Sequence, residues 1–329
     1  MIRRLAVAIV VVSLGFVASL PLGSWSCAAE KTPVVRLGFV NPHSPSAPAP
    51  GTGAFWERLR QLGYVDGENI LVDARWAEDQ THRLPALVAD VISRNPDVLV
   101  TWGGIAAISA RNATSTIPIV AVGLPIAAGL PDNLARPGGN LTGLSLGYSN
   151  IAGKWLELLK ETVPKLNTVA VIANPDNPAT RPLWQELQAG AKAQRLNVKV
   201  LEVRDHKTLG QAFAEAHSKA QAVLVLPDSV LNGDPERLTA LSAKYRLPTM
   251  HSSARMVNAG GLIAYGPNFA VQWRRAAEYV DKIVKGAKPA ELPIEEPTQY
   301  ELNVNLRTAK VLNIAIPESV LLRATDVVR

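Results

Sequence analysis

Cysteine is almost missing from this sequence, Cys27 being the only one. Removal of residues 1–29 would leave a chain with no disulfide, no thiolate nucleophile and no sulfur metal ligand. The five histidines are His43, His82, His206, His217 and His251, and none is paired at i, i+2 or i, i+4. That spacing is what turns two imidazoles toward one ion, so no metal and no other cofactor is expected. Neither G-x-G-x-x-G nor a lysine P-loop is present, which leaves nucleotide chemistry without support. Basic residues are scattered, with no run of five and no interleaved aromatics, and the formal charge of +6 falls by two once Arg3 and Arg4 are removed. Nucleic acid needs a concentrated basic face, and none is visible.

Long apolar runs are also scarce, and the one that exists is at the start. Arg3 and Arg4 precede an unbroken apolar run over residues 5–12 and a mostly apolar one to Leu22, followed by small residues at Ser24, Ser26, Ala28 and Ala29. A charged start, an apolar middle and a small-residue exit predict a secretory signal over residues 1–29, with export to the periplasm. An uncleaved N-terminal anchor is the alternative. Ser24 occupies the place where a lipoprotein signal carries a Leu-like residue, so lipidation of Cys27 has little support. No later run is long enough to span a bilayer.

What is present is an alternation. About 300 residues beyond the signal exceed one core, so two lobes are expected. Strands are predicted at 34–40, 70–77, 97–102 and 118–122, with helices over 52–62, 81–94 and 105–112 between them. The strand runs are nearly all apolar and β-branched, the mark of parallel strands covered on both faces. A loop rich in Pro, Gly and Asn over 131–140 follows, and the pattern restarts. Helices are predicted at 154–162, 183–195, 208–219 and 235–245, and strands at 168–173, 198–203, 222–226 and 248–251. The tail carries a strand at 262–265, a helix at 271–285 and a Pro-rich segment leading to 300–305. The reading is α/β, two Rossmann-like lobes: 31–143 with 267–291, and 144–266 with 292–329. The chain would cross between them three times, a design suited to closing on a ligand. Facing lobes put the carboxyl ends of their strands on the cleft, where open α/β sheets bind ligands.

Candidate ligand-binding residues follow from those strand ends. Gly103 and Gly104 could offer backbone N–H groups to an anion, or simply make a tight turn. Asn41 and Asn174 each precede a proline at a strand end and either hydrogen-bond a ligand or turn the chain. Asp228 is placed to grip an ammonium group, the alternative being the N-cap of the next helix. His251 ends a strand beside Ser252 and Ser253. Trp102, Tyr148 and Tyr265 could pack on an apolar part, and the Ser145 hydroxyl could help hold a carboxylate. Gly143-Leu144-Ser145-Leu146-Gly147 also matches the G-x-S-x-G elbow, and Asp228 and His251 follow in α/β-hydrolase order. That rival reading is an exported serine hydrolase using Ser145, Asp228 and His251. Residues 146–150, read as separating the serine from its helix, and the lack of an HGG-type oxyanion loop weigh against it.

Several segments resemble a known family: Arg36-Leu37-Gly38-Phe39, residues 62–69, Ala135-Arg136-Pro137-Gly138-Gly139-Asn140-Leu141-Thr142-Gly143, and residues 152–160, 260–267 and 305–310. Together they resemble the substrate-binding proteins of ATP-binding-cassette importers, in the branch that includes tryptophan- and tyrosine-type binders. The resemblance implies a type 1 periplasmic-binding-protein fold with three crossovers, no catalysis, and delivery of a small-molecule ligand to a membrane permease; a monomer is expected. Relatives commonly carry Gly-Asp-Pro-Val after the fourth strand, whereas this chain has Gly123-Leu124-Pro125-Ile126. The missing carboxylate puts the usual amino-acid ligand in doubt.

Overall fold

Valine, isoleucine and leucine fill short runs that are covered on both faces, and the computed structural model arranges them in two sheets. It describes residues 34–46, 48–124 and 133–329. The signal segment, Cys27 and the Pro125-Ile126 departure lie outside these residues. In chain order the first half holds β1 (Val35–Asn41), α1 (Gly53–Gln61), β2 (Ile70–Trp76), α2 (Leu84–Ile92), β3 (Val98–Trp102), α3 (Gly104–Ala113), β4 (Ile119–Leu124) and β5 (Leu141–Ser145). There follow α4 (Tyr148–Thr162), β6 (Thr168–Ala173), α5 (Thr180–Gln194), β7 (Asn197–Glu202), α6 (Leu209–Lys219), β8 (Ala222–Val225), α7 (Ser229–Asn232), α8 (Pro235–Lys244), β9 (Thr249–His251) and α9 (Ala254–Asn258). The tail adds β10 (Ile263–Pro267), α10 (Phe269–Val284), β11 (Tyr300–Asn305), α11 (Leu306–Leu312), α12 (Glu318–Leu321) and β12 (Asp326–Val328).

The first sheet is all parallel in the order β2-β1-β3-β4-β5. The second runs β12-β11-β10-β9-β8-β6-β7, and β10 with β11 is its antiparallel pair. Both are doubly wound. Along β3, Val98, Val100 and Trp102 pack under α1 and α10, while Leu99 joins the core of α2 and α3 on the opposite face. In the second sheet Val169 and Val171 face α4 and α5, and Ala170 and Ile172 face α6 and α8. The two sheets are unequal in strand number because the tail contributes β11 and β12 to the second.

Several expectations need correcting. β5 went unforeseen, and the helix predicted from Lys154 begins at Tyr148. Ser149, Asn150 and Gly153 are poor helix formers, and tertiary packing of Ile151, Ala152 and Trp155 overrides them. The last helices and β12 also went unforeseen, each being too short to carry a periodic signal.

The crossings between sheets are tied to one another. Leaving β5, the chain turns at Gly147, whose left-handed φ of +60° and position suit glycine, because a Cβ there would sit 2.5 Å from the Tyr300 hydroxyl. The returning segment pairs with β5, Ser145 N–H donating to Glu295 O at 2.8 Å and Glu295 N–H to Gly143 O at 3.1 Å. Arg275 on α10 grips the Glu295 carboxylate with two bonds of 2.8 and 2.6 Å, and this holds that carboxyl below the usual carboxylate range. Gly143 itself has φ +145° and abuts β4 so closely that a Cβ would lie 1.9 Å from Ala121 O. Replacing Gly143 by alanine should therefore pry β5 from β4 and cost about 3 kcal/mol, measured by urea unfolding. A cost near zero would mean the strand pair tolerates a methyl group and that the contact is not constraining.

Candidate functional site

Strands of both sheets end at one cleft, with a cavity of about 160 Å³. From the first sheet come Pro42 and His43 after β1, Trp102, Gly103 and Gly104 at the β3–α3 junction, and Gly123 and Leu124 at the end of β4. From the second come Asn177 after β6, Pro227 and Asp228 after β8, and Ser252, Ser253 and Arg255 after β9. Leu146, Gly147 and Tyr148 occupy the first crossing, and Phe269 opens α10 just after the second.

The aromatic wall is preassembled. Trp102 is stacked on Trp273 at 5.3 Å and meets Phe269 edge-on at 5.8 Å. Trp273 is in turn pinned by its indole N–H to Pro50 O at 3.0 Å. Tyr148 packs against the cores of both sheets. Burial pushes its phenol up, a hydrogen bond with Ser252 partly offsetting this, so the ring is neutral at physiological pH.

Of the residues singled out from the sequence, Trp102, Gly103, Gly104, Tyr148 and Asp228 line this cavity. Asp228 is the N-cap of α7: its Oδ1 accepts Val230 N–H at 2.8 Å and Leu231 N–H at 3.0 Å. Its Oδ2 accepts the side-chain amides of Asn174 at 3.2 Å and Asn177 at 2.9 Å. Four N–H donors already surround this carboxylate, so the ammonium-gripping role has no vacant lone pair to use.

Asn41, Ser145, Asn174, His251 and Tyr265 do not line the cavity. Asn41 is fully buried and its Oδ1 accepts His43 N–H at 3.0 Å. Asn174 orients Asp228 from behind. Tyr265 stacks on Tyr300 at 5.7 Å, and its backbone oxygen accepts the Trp155 indole N–H at 2.6 Å. Ser145 is buried, its Oγ accepting Gly147 N–H at 2.9 Å. His251 is buried with neither ring nitrogen partnered. No Ser145–His251 or His251–Asp228 hydrogen bond therefore exists, and the proposed catalytic relay is not assembled. The weight placed on residues 146–150 as a spacer was misplaced, since α4 starts at Tyr148. The geometry of the three side chains is what disfavours the hydrolase.

Sequence reasoning missed His43, Leu146, Asn177, Phe269 and Arg255. Arg255 is the informative omission, standing two residues past Ser253, the N-cap of α9. Its position just beyond a predicted strand end was the available signal. On the first-sheet side, His43 Nδ1 is 2.8 Å from Asp79 Oδ1. Asp79 and the preceding Glu78 both adopt left-handed φ, 59° and 55°, which turns that loop back over His43.

Comparison with known proteins bears on this geometry. A family model described as ABC transporter substrate binding protein matches residues 45–328. A curated tyrosine-binding protein from Clostridioides difficile is 26% identical over 262 residues, covering 79% of this chain and 75% of that one. A conserved domain protein from Vibrio cholerae superposes with a TM-score of 0.83 at 24% identity, covering 89% of this chain and 99% of that one. The ABC domain from Streptococcus pneumonia, solved in complex with L-Trp, gives 0.82 at 24% identity, covering 90% and 100%.

The buried imidazole makes a separate prediction. Burial drives the His251 pKa from 6.5 down to about 3. The unfolded chain therefore takes up a proton that the folded one refuses, and this group's effect is to lower stability as pH falls from 6.5 toward 3. The expected slope is about 1 kcal/mol per pH unit, and His251→Leu should remove it. Equal slopes for the two proteins in urea titrations between pH 6.5 and 4.5 would contradict the burial argument.

Proposed function

The chain belongs to the family of ABC transporter substrate binding proteins, and from that premise we propose that it is the extracytoplasmic capture component of an importer. In this reading the N-terminal segment directs export. The folded part then holds a small organic solute between its lobes, delivers it to a membrane permease and releases it chemically unchanged. The moving bodies are those carrying the two sheets, dividing near residues 144–146, 267 and 292–296, with the three crossings as the hinge.

The observation that carries the proposal is the shared cavity, whose wall draws on loops of both sheets. A solute seated there touches Trp102 and Leu124 on one side and Asn177, Ser252 and Arg255 on the other. Only such two-sided contact gives a ligand more affinity for the closed arrangement than for the open one, so only then does binding drive closure. Relatives with tyrosine and tryptophan in their names support an aromatic guest, and the aromatic wall described above fits one.

The test is a thermal-shift and urea-stability screen of the purified protein against amino acids, aromatic acids and small metabolites. A true ligand at 100 times its dissociation constant adds about 2.7 kcal/mol. Trp102→Ala should cut that gain by more than half, and the recovered ligand should be chemically identical to the one added. Turnover of an ester or amide that vanishes in Ser145→Ala would contradict the proposal.

A further inference from the structure

Among the described residues two formally charged side chains line the cavity besides the His43 imidazole, and they are in opposite situations. Asp228 is saturated. A carboxylate offers about four lone-pair positions, and backbone Val230, backbone Leu231, Asn174 and Asn177 donate to them. An incoming ammonium would have to displace a helix cap or an amide to be received there. His43 is engaged with Asp79, which does not line the cavity.

Arg255 is the reverse case. Its guanidinium carries five N–H donors, yet among the described residues its one side-chain bond is Nη2 to Gly233 O at a long 3.5 Å. No carboxylate among the described residues lies within ion-pair distance of it. The backbone fixes the base of the side chain, since Arg255 N–H bonds to the Ser253 N-cap oxygen. In the same lining, Trp102, Leu124, Leu146 and Phe269 offer apolar surface and no charge.

We propose that the captured solute is an organic anion, an apolar or aryl carboxylate without an amino group, and that Arg255 receives its carboxylate in a bidentate pair. This inference rests on the solute-capture reading. The physical cause is an imbalance of unmet partners in a space partly cut off from water. A half-buried guanidinium without a counter-charge gains a charge-assisted pair from a carboxylate. An ammonium finds no free anion among the described residues of the lining and is stripped of water without compensation. A zwitterionic amino acid collects both effects, so the matching acid lacking the amine should bind more tightly.

Isothermal titration of the purified protein with matched series tests this. The probes are 3-phenylpropionate, L-phenylalanine and 3-phenylpropionamide, and the indole and 4-hydroxyphenyl counterparts. In at least one series the acid should bind about 10- to 100-fold more tightly than both the amino acid and the amide, the range of one charge-assisted hydrogen-bonded contact. Arg255→Gln should erase the advantage of the acid over the amide, while Arg255→Lys should restore part of it. The comparison of acid with amide on the unaltered protein stands even if a variant folds poorly. An amino acid binding as tightly as its acid, failure of all the acids to bind, or an acid preference that survives Arg255→Gln would overturn the inference. If an amino acid, sugar or amine instead fills the cleft and stabilises the protein, the capture reading stands and the anion assignment alone falls.

Discussion

One junction ties the two sheets together, the few residues in which β5 leaves the first sheet and α4 enters the second. Ser145 ends β5 with its N–H on Glu295 O and its Oγ holding Gly147 N–H, so a single residue fastens the outgoing and the returning chain. Gly147 then turns in a left-handed conformation against Pro297 and Tyr300, side chains of the return crossing. Tyr148, next in line, touches both cores and the cavity. The crossings are thus coupled to each other and to the ligand space. A change in the angle between the sheets must be absorbed at these positions, since the sheets themselves are close-packed on both faces.

That coupling explains why the serine in a G-x-S-x-G sequence is structural here. The elbow motif and this junction need the same residue types for different reasons. Gly143 is required by its contact with β4 and Gly147 by its turn, and the intervening hydroxyl caps that turn. Asp228 and His251 complete a suggestive order along the chain, but one is tied into a helix cap and the other is sealed in the second core.

Much of the fold was legible from alternation alone. The strands of the first sheet through β4 and those from β6 to β9 announced themselves as apolar β-branched runs between helical periods. β5 did not, because Leu141-Thr142-Gly143-Leu144-Ser145 is short and mixed and follows a loop rich in glycine and asparagine. The site was less legible. Choosing the last residues of strands as ligand contacts favoured Asn41 and His251, which are buried away from the cavity, although Trp102 and Leu124, also last in their strands, do line it. Residues just beyond the strand reach the cleft, as His43, Asn177 and Arg255 do. A place just beyond a strand end is the one local mark of Arg255; that Asp228 is already satisfied, by amides about 50 residues earlier in the chain, is not legible from its neighbours.

The central claim is that a solute held by both lobes biases them toward one closed arrangement. The direct measurement is the distance distribution between spin labels at Gln61 on α1 and Gln185 on α5, both exposed positions on different sheets' helices. Saturation with the ligand is expected to collapse a broad distribution to a single shorter distance, and Trp102→Ala to weaken the ligand concentration dependence of that collapse. An unchanged distribution with ligand bound would contradict the account.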